Sequence, residues 1–93
     1  MSIQGVEVGK TCRMFGQISD LSSVVKCPSP SGTTAVFQPE TNSVRWRPDG
    51  GTPAAGVGFL LIAGNTYVFN GDLSKLSFIQ EAAGATLNIS VFE

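Results

Sequence analysis

The spacing of turn-forming residues is the feature of this sequence that most restricts its fold. From Thr33 onward, short apolar or alternating segments begin about every eight to twelve residues, with Gly, Pro, Asn and Asp between them. The clearest turns are residues 48–51, 63–65 and 70–72, each of which contains at least one glycine. Such spacing is typical of antiparallel β-sandwiches and small barrels.

The segments between the turns are the expected strands. In the C-terminal two thirds they are residues 33–38, 43–47, 57–63, 66–70, 75–80 and 85–92. The N-terminal third is less regular, and strands are expected there over 11–18 and 24–27, before a proline-rich loop at 28–32. We therefore predict an all-β fold, an antiparallel β-sandwich or jelly-roll-like single domain over 1–93, with an extended N-terminal arm over 1–10.

Alternation along these strands predicts the core. In the segment 43–47, Val44 and Trp46 lie on one face, and Arg45 and Arg47 on the other. The run 57–63 is apolar almost throughout, so we expect it to be covered on both faces. The predicted core consists of Val44, Trp46, Phe59, Leu61, Tyr67, Phe69, Leu76, Phe78, Leu87, Ile89 and Val91.

Charge and histidine content restrict the function. The chain has no histidine, so Ser-His-Asp and Cys-His catalysis are excluded. Its acidic residues are scattered and lie mostly in turns, and we expect no enzymatic activity and no cofactor. Six basic against seven acidic residues argue against a nucleic-acid partner, whose backbone is bound mainly by clustered Lys and Arg.

No membrane segment or targeting signal is expected. The longest apolar run, 57–63, is too short to cross a bilayer. The first ten residues lack the basic and apolar regions of a signal peptide. We therefore expect the chain to be made and used in a cytoplasm, or carried out of it within a larger assembly.

Cys12 and Cys27 have no spacing that predicts a metal site. A structural zinc site needs four ligands, and two cysteines without histidine cannot supply them. Without secretion a disulfide has no support. We expect two unpaired thiols that pack as small apolar side chains.

Arg45 and Arg47 are the most distinctive polar pair. Two guanidiniums on one strand face allow contact with another protein or with phosphate, or ordinary ion pairs with acids of the same chain. Arg is frequent at interface hot spots, and few other basic residues lie nearby. Arg45 and Arg47 are therefore the candidate protein-interface residues, with an acidic neighbour as the expected partner.

The segment from 43 to 92 also carries a resemblance. It contains Val44-Arg45-Trp46-Arg47 with Asp49, Gly50 and Pro53 following, and it closes on Ala85-Thr86-Leu87-Asn88-Ile89-Ser90. In these motifs it resembles small structural proteins of tailed bacteriophages that are encoded beside capsid and head–tail genes. The likeness covers a little over half of the chain and does not extend to residues 1–40.

The resemblance implies a β-sandwich structural protein of the virion, assembled in the bacterial cytoplasm. The leading expectation is a capsid decoration or cement protein that binds and stabilises the lattice of the major capsid protein. Self-association is expected too, for instance as a trimer at a lattice three-fold axis. A neck or tail accessory protein is the first alternative. A carbohydrate-binding adhesion module is the second, and it would require an exposed aromatic side chain such as Trp46.

Overall fold

The computed structural model describes residues 9–29 and 31–93. Over this part of the chain it contains eight β-strands and one turn of 3-10 helix, between β6 and β7. The strands are β1 (Cys12–Ile18), β2 (Val25–Lys26), β3 (Thr34–Glu40), β4 (Val44–Arg47), β5 (Phe59–Leu61), β6 (Tyr67–Asn70), β7 (Ser77–Gln80) and β8 (Thr86–Phe92); the 3-10 turn is Leu73–Lys75. The predicted arm falls on residues 1–10, of which 1–8 lie outside the described residues.

The strands form two antiparallel sheets of four. Sheet A has the order β1-β8-β3-β6, and sheet B has the order β2-β7-β4-β5. The pairs β1–β8, β2–β7, β3–β6 and β4–β5 are those of a chain folded back on itself as one long ribbon. The additional pairs β3–β8 and β4–β7 roll that ribbon into a sandwich. This is the arrangement of a jelly roll, and the predicted all-β antiparallel sandwich is confirmed.

The hydrophobic core lies between the sheets and follows the predicted alternation closely. Seven of the predicted core residues are buried: Val44, Leu61, Leu76, Phe78, Leu87, Ile89 and Val91. Trp46, Tyr67 and Phe69 are partly buried against this cluster. The core also contains residues that the alternation did not single out, among them Leu21, Phe37 and Leu73. Leu73 comes from the 3-10 turn, whose start is capped by Asp72 accepting from the backbone N–H of Ser74 at 3.0 Å.

The prediction for residues 57–63 is wrong in two respects. The strand β5 comprises only Phe59–Leu61, and it is not covered on both faces, since Phe59 is 63% exposed and Leu60 39%. The physical reason is its place in the sheet. Within the described residues, β5 pairs only with β4 and ends sheet B, so only Leu61 is buried. An apolar run predicts burial, but it does not reveal that a strand lies at an edge.

Candidate protein interface

The edge strand β5 and its flanks carry the largest group of exposed apolar side chains in the described chain. Val57, Phe59, Leu60 and Ile62 are 48%, 63%, 39% and 46% exposed, and we call these four residues the apolar margin. Phe59 lies opposite Trp46 and Leu60 opposite Arg45, so adjacent side chains of β5 point to opposite faces of the sheet. The margin therefore wraps around the edge of the sheet. Exposed apolar side chains grouped along one sheet edge are a candidate interaction site.

The apolar margin also lacks charge. Residues 50–71, which include β5, β6 and the loops beside them, contain no Asp, Glu, Lys or Arg. Sheet edges are normally protected from pairing with other chains by charged side chains, especially Lys. The core of a protein interface, in contrast, is depleted of charge. This edge therefore has the composition of an interface.

An aromatic cluster supports the margin from inside. The ring of Phe59 lies 5.7 Å from that of Trp46, which in turn lies 5.7 Å from Phe69 and 5.6 Å from Phe37. Trp46 thus joins the edge of sheet B to β6, the edge of sheet A. Because Phe59 rests on this cluster, it loses little conformational freedom when a partner covers it.

The candidate residue Arg45 is tied to the loop that leads into β5. Its Nε donates to Glu81 Oε2, and its Nη1 donates to the carbonyl oxygen of Gly58 at 3.0 Å. Glu81 also accepts from the backbone N–H of Gly56, at 3.1 Å to Oε1. These bonds hold the pKa of Glu81 below its usual value, and the bond from Arg45 has the largest effect. Arg45 therefore positions the start of the apolar margin.

Arg47 holds the turn at residues 48–51, which directly follows it in the chain. Its Nη2 donates to Asp49 Oδ2 at 2.6 Å, and its Nε donates to Asp49 Oδ1 at 3.1 Å. The bidentate bond lowers the pKa of Asp49 to about 2, with help from the backbone N–H of Gly51. A Cβ at Gly51 would lie 2.3 Å from Cζ of Arg47, so a side chain there would displace the guanidinium from its present position.

The expected acidic neighbours of both arginines thus lie within the chain. Arg45 pairs with Glu81, and Arg47 pairs with Asp49. The structure brings the two arginines to one face of β4, where they hold the loops before β5, and it places the exposed apolar surface on β5 itself. Alternation missed that surface, although the uncharged stretch 50–71 was a signal for it in the sequence.

The remaining candidate chemistry is sparse. Cys27 is buried, and desolvation raises the pKa of its thiol, whereas Cys12 is exposed; neither is in a disulfide. Among residues 9–29 and 31–93, no three His, Cys, Asp or Glu side chains are grouped closely enough to hold a metal ion. The described chain also has no helix of the length and apolarity needed to span a bilayer.

Comparison with known proteins adds no relative. No protein-family model, curated protein sequence or solved structure matches this chain. The resemblance to phage structural proteins therefore stays a prediction, and the functional argument rests on the fold and on the surface described above.

Proposed function

We propose that this chain is a non-enzymatic structural protein of a phage virion, a capsid decoration protein that docks on the major capsid protein through the apolar margin. The observation that carries the proposal is the uncharged edge at β5, with Val57, Phe59, Leu60 and Ile62 exposed together. Covering these side chains removes apolar surface from water, and none of the four carries a charge that would have to be desolvated.

The loop geometry supports the same role. Arg45 and Glu81 hold Gly56 and Gly58 in place beside β5, and Trp46 supports Phe59. A surface that is ordered before binding pays less entropy when it docks. The partner we propose is a complementary apolar strand or loop of the capsid protein, because a sheet edge can bind another chain by strand addition.

A repeating lattice suits a surface of this size. A margin of four apolar side chains is small, and a single contact of that kind is weak. When several copies associate on a symmetric shell, each contact makes the next one intramolecular, and overall affinity rises. We therefore propose that the chain self-associates on the capsid. Jelly rolls occur in viral capsid and lectin domains, but one fold hosts many functions, so the fold alone does not carry the proposal.

The test is co-sedimentation of the purified chain with capsids assembled without it. Wild type is expected to sediment with the capsids. The double variant Phe59→Ser, Leu60→Ser is expected to stay in the supernatant, because it removes the exposed side chains and leaves buried Leu61 in place. Far-ultraviolet circular dichroism and a cooperative unfolding transition check that the variant is folded.

Phe15→Ser is the matched control. Phe15 is 68% exposed but lies on β1 of sheet A, so this variant is expected to bind capsids like wild type. Failure of wild type to bind overturns the proposed function. Equal binding by the double variant overturns the assignment of the docking surface. Counting copies in purified virions separates the shell from the neck, since a ring-sized number would favour a neck or tail accessory protein.

A further inference from the structure

The outer face of sheet A carries two parallel rows of side chains that the proposed function does not use. The register of β1, β8, β3 and β6 aligns one row, which consists of Phe15, Ser90, Val36 and Val68. The same register aligns a second row, displaced from the first by two residues along each strand. This row consists of Gln17, Asn88 and Gln38. Their neighbours along β3 and β8, such as Phe37 and Ile89, are buried in the core, so both rows lie on the outer face.

The second row is a line of ordered side-chain amides. Gln17 Nε2 donates to Asn88 Oδ1 at 2.9 Å. Gln38 Nε2 donates to Thr66 Oγ1 at 3.3 Å and to the carbonyl oxygen of Gly64 at 3.4 Å. Each amide offers two N–H groups and one carbonyl, so these bonds orient the amides and leave the Asn88 amino group and the Gln17 carbonyl with capacity for a ligand.

The first row begins with an exposed aromatic ring. Phe15 is 68% exposed, the highest value among the large apolar side chains of the described residues. The ring borders a shallow depression whose floor and walls come from both rows. The lining includes Phe15, Val36, Gln38, Thr66, Asn88 and Ser90. The ring of Phe15 therefore shares this depression with two amides and two hydroxyls, and the third amide, that of Gln17, lies beside it in contact with Asn88.

The chemistry of this lining specifies the ligand class. None of those six residues is charged, so neither an anion nor a cation finds an opposite charge there. A ligand that satisfies both rows needs an apolar face beside several hydroxyl groups, which is the character of a hexose ring. The four strands of sheet A span about 14 Å, since neighbouring strands lie about 4.8 Å apart, and this length suits a short oligosaccharide.

We propose that the outer face of sheet A binds a neutral linear oligosaccharide. The ring of Phe15 packs on the apolar face of one hexose, and the amides of Gln17, Asn88 and Gln38 bond to its hydroxyls and to those of the next unit. Trp46, the aromatic residue to which the sequence tied a carbohydrate site, packs against Phe37, Phe59 and Phe69 in the aromatic cluster and lies away from this face.

The experiment is a titration of the ¹⁵N-labelled chain with cellohexaose, maltohexaose and chitohexaose, each to millimolar concentration, followed by amide chemical shifts. At least one oligosaccharide is expected to shift amides of β1, β8 and β3. Phe15→Ala and Asn88→Ala are each expected to weaken that binding about tenfold or more. Phe59→Ser on the apolar margin is the matched control and is expected to bind like wild type.

Three results would overturn the proposal: no shifts with any of the three oligosaccharides, shifts confined to other parts of the chain, or unchanged binding by Phe15→Ala. If Phe15→Ala instead reduces capsid co-sedimentation, the outer face of sheet A is a protein interface. Because the capsid test depends on Phe59 and the sugar test on Phe15, either proposal can fail while the other stands.

Discussion

Strands β1 and β5 both lie at the edge of a sheet, but they differ in the charge and regularity of that edge. β1 carries Arg13, which pairs with Glu93 at 3.6 Å, and its register with β8 shifts between Cys12 and Met14. Charged side chains and irregular register are devices that keep a sheet edge from pairing with another chain. β5 has no charged residue, and its exposed side chains are apolar.

The second edge of each sheet follows the same division. β2, at the edge of sheet B on the β1 side, contains the exposed Lys26, whereas β6 lies within the uncharged stretch 50–71. The edge strands β1 and β2 thus carry charged side chains, and the edge strands β5 and β6 carry none. The difference teaches that missing charge, as well as exposed apolar side chains, distinguishes the β5 edge, and it supports the docking surface proposed there.

The largest expected effect comes from the aromatic cluster beneath the margin. Phe37 is buried and its ring lies 5.6 Å from Trp46, 6.4 Å from Tyr67 and 5.3 Å from Phe78. Phe37→Ala is expected to lower the free energy of unfolding by about 3 to 5 kcal/mol, because it leaves a cavity between the sheets. Urea denaturation measures this.

Phe15→Ala provides the control for that measurement, because the ring is 68% exposed on β1. Its cost is expected to stay within about 0.5 kcal/mol. Equal losses of unfolding free energy in the two variants would show that the aromatic cluster does not stabilise the β5–β6 side of the sandwich.

The backbone before β5 is expected to show the next largest effect. Gly58 has φ of +114°, and a Cβ there would lie 2.8 Å from the carbonyl oxygen of Trp46. Gly58→Ala should therefore destabilise the chain by about 1 to 3 kcal/mol, through backbone strain together with the close contact to the Trp46 carbonyl. Thermal unfolding monitors the loss, and Gly64→Ala is a control that has positive φ without a close atom. An effect no larger than that of the control would mean that the backbone shifts enough to fit a Cβ at residue 58 beside the Trp46 carbonyl.

Giving β5 a charged side chain, as β1 has, is expected to weaken docking with little change in stability. Leu60→Lys places a charge on the exposed edge, and capsid affinity should fall about tenfold, which corresponds to about 1.4 kcal/mol. The sedimentation assay described above measures the affinity. Thr86→Lys, on β8 in the interior of sheet A, adds the same charge away from the margin. Equal losses for both variants would show that net charge, and not the edge, controls binding.

The smallest effect concerns the ion pairs that hold the loops before β5. The pKa of Asp49 is about 2 and that of Glu81 is below its usual value, so both carboxylates bind protons less readily in the folded state. Their stabilising contribution is therefore complete above the unfolded pKa values, near 4, and is lost as the pH falls through the lower folded values. Between pH 4 and pH 2, the protection of the Gly51 and Gly56 amides, measured as their exchange rates relative to an unstructured chain at the same pH, is expected to fall more than elsewhere.

Asp49→Ala is the variant that isolates the first of these pairs, because it removes the oxygen that accepts from the backbone N–H of Gly51. In this variant the Gly51 amide should already exchange rapidly at neutral pH, and its protection should no longer depend on acid. The Gly56 amide should behave as in wild type. A Gly51 amide that is equally protected in both proteins would contradict the role assigned to the Arg47–Asp49 pair.

The parts of the molecule that sequence predicted are those set by neighbouring residues. Turns at 48–51, 63–65 and 70–72 separate the observed strands, because Gly, Asn, Asp and Pro restrict or free the backbone locally. The alternation pattern correctly predicted that Val44, Phe78 and Ile89 are buried, since successive side chains of a strand face opposite sides. The Arg47–Asp49 pair is equally local, with a single residue between its members.

Tertiary structure decided what depends on residues far apart in the chain. Arg45 meets Glu81 across 36 positions, and Gln17 meets Asn88 across 71, so neither contact has a local signal. Phe59 has the alternation of a core residue and is exposed only because sheet B ends at β5. Local patterns determine which face of a strand is apolar. Which strand lies at an edge, and which rows of side chains align across a sheet, is determined by long-range pairing, and both proposed binding surfaces follow from that pairing.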